Sequence, residues 1–550
     1  RRYQSSFREE WLQDENYKEW LQKVDSDECM CKCRICSISF TVKYDGVKAV
    51  NKHLQSERHK TNIITQKQNQ SLLKFLPKQF SAEDDKITAA ELTLTYHGVK
   101  HHHSYNSQDC GNKLYPHVFR DSSVATKVKC GRTKSEALVK NVLQPYAQEK
   151  LLSELMQCVP FSIGSDASNK GNKKHYPVVV TYFSKDKGKC NEVLDFYEDV
   201  NESAEAISNK LKSILLENGL TLNNVVSYSA DNASVNFGKH NSVFTRLKEE
   251  KTNLIKANCC CHILHNCAKF GFKLLKYDVE SLVLKIYSDF SSSSKNSEEL
   301  KTFCEFAQHD YSEILRHIVV RWLSLQSAVE RLVKMWRVLK MYYVARGEEK
   351  THPLIWTFIS SQQDEINEYS LTLPECFLYF VNATLPVFSK AIRLLEKEDT
   401  LSTDVHKVIL EVKKQIEGRK EDKFYGFEVN MSLEHLTKEE KNILVKECTL
   451  VYDRLLNYLN KWYSFTGNDN VYKIVSVLDL CQPKLFSFND LVEVGNKLKI
   501  NFDGNELYNE FSILKSVVSN LDRKDNNCCK MWCEFFEKAD APNLFKIMQH

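Results

Sequence analysis

Long apolar runs are missing from this chain: no segment approaches the roughly 18 apolar residues that a membrane-spanning helix needs. The first residues also lack the basic, apolar and small-residue order of a secretory signal. Net charge is nearly absent, +4 over 550 residues, so any nucleic-acid footprint has to be local rather than global. Proline is scarce, ten in all. What the chain does have is cysteine. Nineteen of them, an odd number scattered among clustered histidines, fit reduced thiols and metal ligands better than a disulfide framework. A soluble protein of a reducing compartment, long enough for about three or four domains, is the expectation.

The stretch around which the rest is arranged is Val225-Val226-Ser227-Tyr228-Ser229-Ala230, followed by Asp231 and small polar residues. It reads as a buried strand of an α/β sheet that delivers one carboxylate to its C-terminal edge, where such sheets place their sites. A lone Asp after a strand is commonly a helix N-cap. Here the pattern occurs twice, because Phe161-Ser162-Ile163-Gly164-Ser165 is followed by Asp166, Ala167 and Ser168. Between the two lie strand-like runs at Tyr176 to Phe183 and Glu192 to Tyr197, then a helix-like segment from about Ser203 to Asn218. That order, with an Asp closing the first and fourth strands, suits an RNase H-like nucleotidyl-transferase core. Two-metal phosphoryl transfer needs carboxylates from different strands around ions roughly 3.5–4 Å apart. Mg²⁺, or Mn²⁺, would take those oxygens. Asp166 and Asp231 are therefore expected side by side, one of them with a raised pKa; two unrelated helix caps are the competing reading.

Cys33-Arg34-Ile35-Cys36, with His53 and His59 downstream, gives C-x2-C-x16-H-x5-H, a spacing that suits one tetrahedral zinc closed by a helix from about Val47. Tyr17, Trp20 and Leu21 read as accessory core beneath the finger, and Cys29 and Cys31 as spare thiols. From about 61 to 150 the chain is mixed, with a helix-like run from Ile87 to Val99 and the triplet His101-His102-His103, which could be a metal site but reads rather as a solvated or DNA-adjacent turn, because three adjacent residues do not share a helical face. Lys113, Arg120, Lys127, Lys129, Arg132 and Lys134 bias this segment toward positive charge with few acids nearby. It lies either along phosphates or as a solvated face.

Beyond Asp231 the sequence suggests a helix at Val243 to Glu250, a strand at Leu254 to Ala257, and then Cys259-Cys260-Cys261-His262-Ile263-Leu264-His265. Adjacent cysteines rarely ligate together and no second C-x2-C pair follows, which argues against a second zinc there. From about Lys334 to Asp522 the pattern is almost wholly helical.

Taken in order, the finger, Asp166, Asp231 in a D-N-A context, Cys259 and His262 as C-x2-H, and the pair Arg321-Trp322 resemble hAT-superfamily DNA transposases and host proteins descended from them. The resemblance implies an α/β RNase H-like core interrupted by an all-α insertion and preceded by a small BED-like zinc finger and a helical linker. Its divisions fall at 1–62 for the finger, 63–150 for a linker that helps DNA binding and dimerisation, 151–333 for the first part of the core, 334–535 for the insertion, and 536–550 for the start of the final core segment. It further implies Asp166 and Asp231 as catalytic Mg²⁺ ligands, and Arg321 and Trp322 against a DNA end, where base stacking on Trp contributes roughly 1–3 kcal/mol. Lys127, Lys129 and Arg132 would contact double-stranded DNA. The location would be nuclear, and oligomerisation would use a C-terminal segment.

The family's third carboxylate, a Glu in V-E-R-x-F-S-like context, does not occur before His550; Ser327-Ala328-Val329-Glu330-Arg331-Leu332 resembles it but follows Arg321-Trp322 directly and reads as an ordinary amphipathic helix. A chain that starts at Arg1 and stops after Pro542 to His550 reads as truncated or degenerate, and no strand transfer is expected of it as given. The alternative function is a domesticated zinc-finger transcription or chromatin regulator that keeps the core as an interaction scaffold.

Overall fold

The structure is a computed structural model that describes residues 5–24, 27–64, 82–157, 160–318, 324–360, 370–463, 465, 470–482, 484–521 and 527–550. The fold is mixed α/β. A three-stranded antiparallel sheet near the N-terminus comprises β1 (Leu21–Lys23), β2 (Met30–Cys33) and β3 (Ile38–Thr41). A second, six-stranded mixed sheet contains β4 (Phe161–Ser165), β5 (Ser168–Lys170), β6 (Lys173–Ser184), β7 (Gly188–Glu198), β8 (Val225–Ala230) and β9 (Ile255–Asn258).

In the larger sheet the long strand β6 pairs with β7 along one edge, and with β4 and β5 in succession along the other, all antiparallel. The chain breaks between β4 and β5 at Asp166 and Ala167. β4 pairs with β8, and β8 with β9, both in parallel. Parallel strands need a crossover, and the Ala204–Glu217 helix supplies the one from β7 to β8. Its N-cap is Ser203, whose side chain accepts from Ala206 N–H. One face of the sheet is closed by Ile207, Leu211, Ile214 and Leu215 of that helix together with Leu151 and Leu155, packed on Ile163, Val178, Val180 and Tyr228. β6 alternates buried and less buried residues through Tyr176, Val178, Val180 and Tyr182, the period-2 signature of a sheet with distinct faces. β8 is buried nearly throughout, as expected for a central strand covered on both sides.

The remainder is helical and has two apolar cores. The first joins Cys260–Phe272, Val279–Ser291, Ser294–Phe306, Ser324–Arg346, Leu373–Leu395 and Lys438–Trp462. The second gathers Leu491, Leu507, Leu514, Trp532, Phe535 and Leu544 and reaches the sheet through Phe183 of β6, 6.3 Å from Phe536 between ring centroids. The expected division at 333/334 falls inside the Ser324–Arg346 helix, because its buried residues Val329, Leu332, Met335, Trp336 and Leu339 continue one stripe across it. Likewise 535/536 falls inside the Cys528–Lys538 helix. Residues Pro542–Gln549 form a helix, with proline at its start, where the missing N–H costs nothing. No helix among the described residues is long and apolar enough to cross a membrane.

Candidate functional site

The small sheet and the helical runs that follow it bring together a Cys/His group that could hold a metal ion. Strand β2 ends in Cys33, the turn to β3 carries Cys36, and Ser37 adopts φ +55 so that the chain can curl back under the two thiols. The Val47–Gln55 helix supplies His53. It stops at Ser56, where ψ swings to 142°, and a new helical run over 57–64 carries His59. Ser56 Oγ accepts from His59 N–H, capping the second run. The five-residue spacing between the histidines thus needs a break in the helix, which turns His59 back toward the thiols.

The result is compact. Donor atoms of Cys33, Cys36, His53 and His59 all lie within 4.8 Å of one another. His59 Nδ1 is 3.4 Å from Cys33 Sγ and 3.4 Å from Cys36 Sγ. A tetrahedral zinc with bonds of about 2.3 and 2.0–2.1 Å spaces sulfur and nitrogen donors by about 3.5 Å, which the two His59–thiol distances match. His53 Nε2 is buried with no hydrogen-bond partner, which is costly unless something electrophilic faces it. The hydrogen bond from Cys33, with further ones from His53 and His59, draws the Cys36 thiol down to about 4, while Cys33 is pushed up by the same bond and by burial. Zinc binding would displace the protons that the two thiols still carry. Trp20 meets His59 edge-on at 4.6 Å, and Phe40 stacks on His53 at 4.7 Å. Tyr17, Trp20 and Leu21 are buried in the finger core as expected. Cys31 is buried beneath Phe40, its thiol pushed up to about 12 by burial, which suits an inert packing residue.

The second constellation lies where β4 and β8 end. Asp166 and Asp231 follow these paired parallel strands. Asp231 Oδ1 accepts from its own turn, Ala233 N–H at 3.1 Å, and from Asn236 Nδ2 at 2.6 Å. Tyr228 OH, fully buried, donates to Asn236 Oδ1 at 2.9 Å and so holds that amide in place. The cap reading of Asp231 therefore holds in part, yet the two carboxylates are also neighbours: burial and the charge of Asp231 raise the Asp166 pKa, and His262 partly offsets them.

His262 arrives on the Cys260–Phe272 helix. Cys259, the residue before it, is tied to the end of β8 through its N–H to Ala230 O, and its carbonyl accepts from Asn232. Hydrogen bonds from Cys261 and His262 lower the Cys259 thiol to about 5. For His262 burial alone would lower the pKa, but the Cys259 thiolate, Asp166 and Asp231 raise it above its usual value. His262 thus sits beside Cys259, Asp166 and Asp231, the groups that favour its protonated form. Cys260 points the other way, into a small apolar cluster with Ile409 and Tyr463 of the helical region. The sheet end and the helices therefore meet at this segment. Among the described residues, the finger is the one group of three or more His, Cys, Asp or Glu whose donor atoms already lie close enough, within 4.8 Å of one another, to hold a metal ion.

The linker departs from expectation. Lys127 pairs with Glu83 at 2.7 Å, Lys134 with the buried Glu91, and Lys113 with Asp109 at 2.8 Å. The acids come mostly from the Ala82–Lys100 helix, far away in sequence, so the scarcity of acids near these lysines does not survive folding. Lys129 and Arg132 remain exposed. Arg321 and Trp322 lie outside the described residues. Sequence reasoning missed the Cys259–Cys261 bond and the buried Glu91, since both depend on contacts that no periodicity encodes. No known family model matches the chain.

Proposed function

We propose that the chain is a DNA-binding protein of hAT-transposase descent, with a zinc finger, a helical linker and an RNase H-like core. The observation that carries this reading is the parallel pairing of β4 with β8, in the strand order β7-β6-β4-β8-β9, with a carboxylate following each of the two paired strands. Asp166 and Asp231 would hold Mg²⁺ or Mn²⁺, which would supply Lewis-acid activation of a phosphate. The chain's own contribution is orientation: Asn236 fixes one oxygen of Asp231, and His262 stands beside both carboxyl groups. The finger and the exposed Lys129 and Arg132 would engage the duplex, and such work would be done in the nucleus.

The test is duplex DNA binding by the zinc-loaded chain at low ionic strength. Binding that is lost on chelation of the finger supports the reading; no binding at low salt, or binding indifferent to chelation, defeats it.

A further inference from the structure

The histidine triplet lies after the Ala82–Lys100 helix, and the way that helix ends changes what the triplet can do. His101 N–H bonds to His97 O at 3.0 Å and continues the helical pattern by one residue. His102 adopts φ +57, its N–H bonding to Val99 O, and His103 N–H reaches back to Gly98 O at 2.8 Å. These are the two bonds of a Schellman motif, with His102 in the left-handed position. Such a turn folds the residue after the left-handed one over the last turn of its own helix, where an apolar contact usually sits. Here that contact is His103 against His97.

Three imidazoles are thereby gathered. Ring centroids are 4.5 Å apart for His97 and His101, 5.3 Å for His97 and His103, and 6.2 Å for His101 and His103. His102 has no part in the trio. Three imidazoles bound to one tetrahedral metal through nitrogens at about 2.0–2.1 Å keep their centroids about 5 Å apart, which these separations bracket. All three side chains are exposed, so rotation about χ1 and χ2 can swing one nitrogen of each toward a common point.

We propose that His97, His101 and His103 form a second metal site, for a divalent transition ion of imidazole preference such as Zn²⁺, Ni²⁺ or Cu²⁺, with water completing the shell. The position favours a cation, since it lies at the C-terminal end of a helix, the negative pole of its dipole. An ion held there ties the Ala82–Lys100 helix to the turn that leads, through the N-cap Ser104, into the Tyr105–Val118 helix. The bend of the linker is then fixed by metal as well as by packing.

The test is calorimetric titration of Ni²⁺ into the full chain with its finger already holding zinc. One further equivalent is expected, weakened at least tenfold by His97→Ala and unchanged by His102→Ala, both at exposed positions. A flexible run of three histidines gives the opposite order, with His102→Ala harmful and His97→Ala silent. That order, equal losses in both variants, or no further equivalent, overturns the proposal.

Discussion

Gly164 of β4 lies opposite Ser229 of β8 in a parallel ladder, and two residues beyond each stands an aspartate. Asp166 and Asp231 are therefore brought side by side although 65 positions separate them, the same offset that relates Ser227 to Ser162, whose hydroxyls hydrogen-bond. Register, rather than any loop, sets the spacing of the two carboxylates.

The first prediction concerns their titration. Partial burial and the charge of Asp231 raise the Asp166 pKa, so the folded chain holds that proton more tightly than the unfolded chain does. For an acid raised in this way, folding gains from the group as pH falls through the elevated value and loses that gain above it. Asp231→Asn should move Asp166 back toward ordinary carboxylate behaviour, and Mg²⁺ should do the same in the unsubstituted chain. Carbon NMR of the Asp166 carboxyl through an acid titration reads both; an Asp166 that ignores the loss of Asp231 would separate the two groups.

The larger sheet was legible because its central strands speak in one voice. Val225 to Ala230 is apolar and β-branched, ends in an Asp, and is the observed β8 residue for residue. The helix before it was legible from its caps as well as its pattern, with Ser203 and Asn218 flanking Ala204–Glu217. β5 was not, since Ser168, Asn169 and Lys170 carry no apolar alternation and pair only because the long β6 offers them an edge. The four finger ligands were readable from spacing, but the helix break at Ser56 was not, because serine is tolerated in helices and only metal geometry requires the turn. Side-chain partners at long range, such as Glu83 for Lys127 or Glu91 for Lys134, are products of folding and leave no local trace.

Zinc in the finger should be structural. Cys36→Ser removes the thiol that its neighbours most favour in the ionised form and should lower zinc affinity by several orders of magnitude, with loss of order confined to the finger. X-ray absorption on the loaded chain should give two sulfurs at about 2.3 Å and two nitrogens at about 2.0–2.1 Å. Trp20, buried against His59, supplies a second readout, since its emission should shift to the red on chelation. Full zinc occupancy in Cys36→Ser would move the site elsewhere.

Linker lysines should divide into two classes in DNA binding. Lys129 and Arg132 are exposed, and replacing either by Ala should reduce the slope of log affinity against log salt by about 1. Lys127 is engaged with Glu83, so Lys127→Ala should loosen the contact between two linker helices and leave the salt slope nearly unchanged. An exposed pair of this kind contributes about 0–1 kcal/mol, so the loss of stability should be small. Equal slopes for all three variants would mean that the ion pair opens on binding.

The last prediction is chemical. Cys259 stands just before a helix N-terminus, accepts hydrogen bonds from Cys261 and His262, and is lowered to about 5. Thiolate, not thiol, reacts with alkylating agents, and a helix N-terminus with an adjacent imidazolium is the setting that lowers a cysteine pKa. Cys261 is raised by the same bond, while Cys260 and Cys267 are raised by burial. Of the thiols in this segment, iodoacetamide at pH 6.5 should therefore take Cys259 first, at a rate that falls only below about pH 5. His262→Asn removes the positive partner while keeping a polar side chain, so the reactivity should fall at pH 6.5 and return as pH rises toward the ordinary thiol range. Peptide mapping of the alkylated chain identifies the residue, and the pH profile identifies the cause. A Cys259 whose rate is indifferent to His262→Asn would place the stabilising charge in Cys261 and the helix terminus instead.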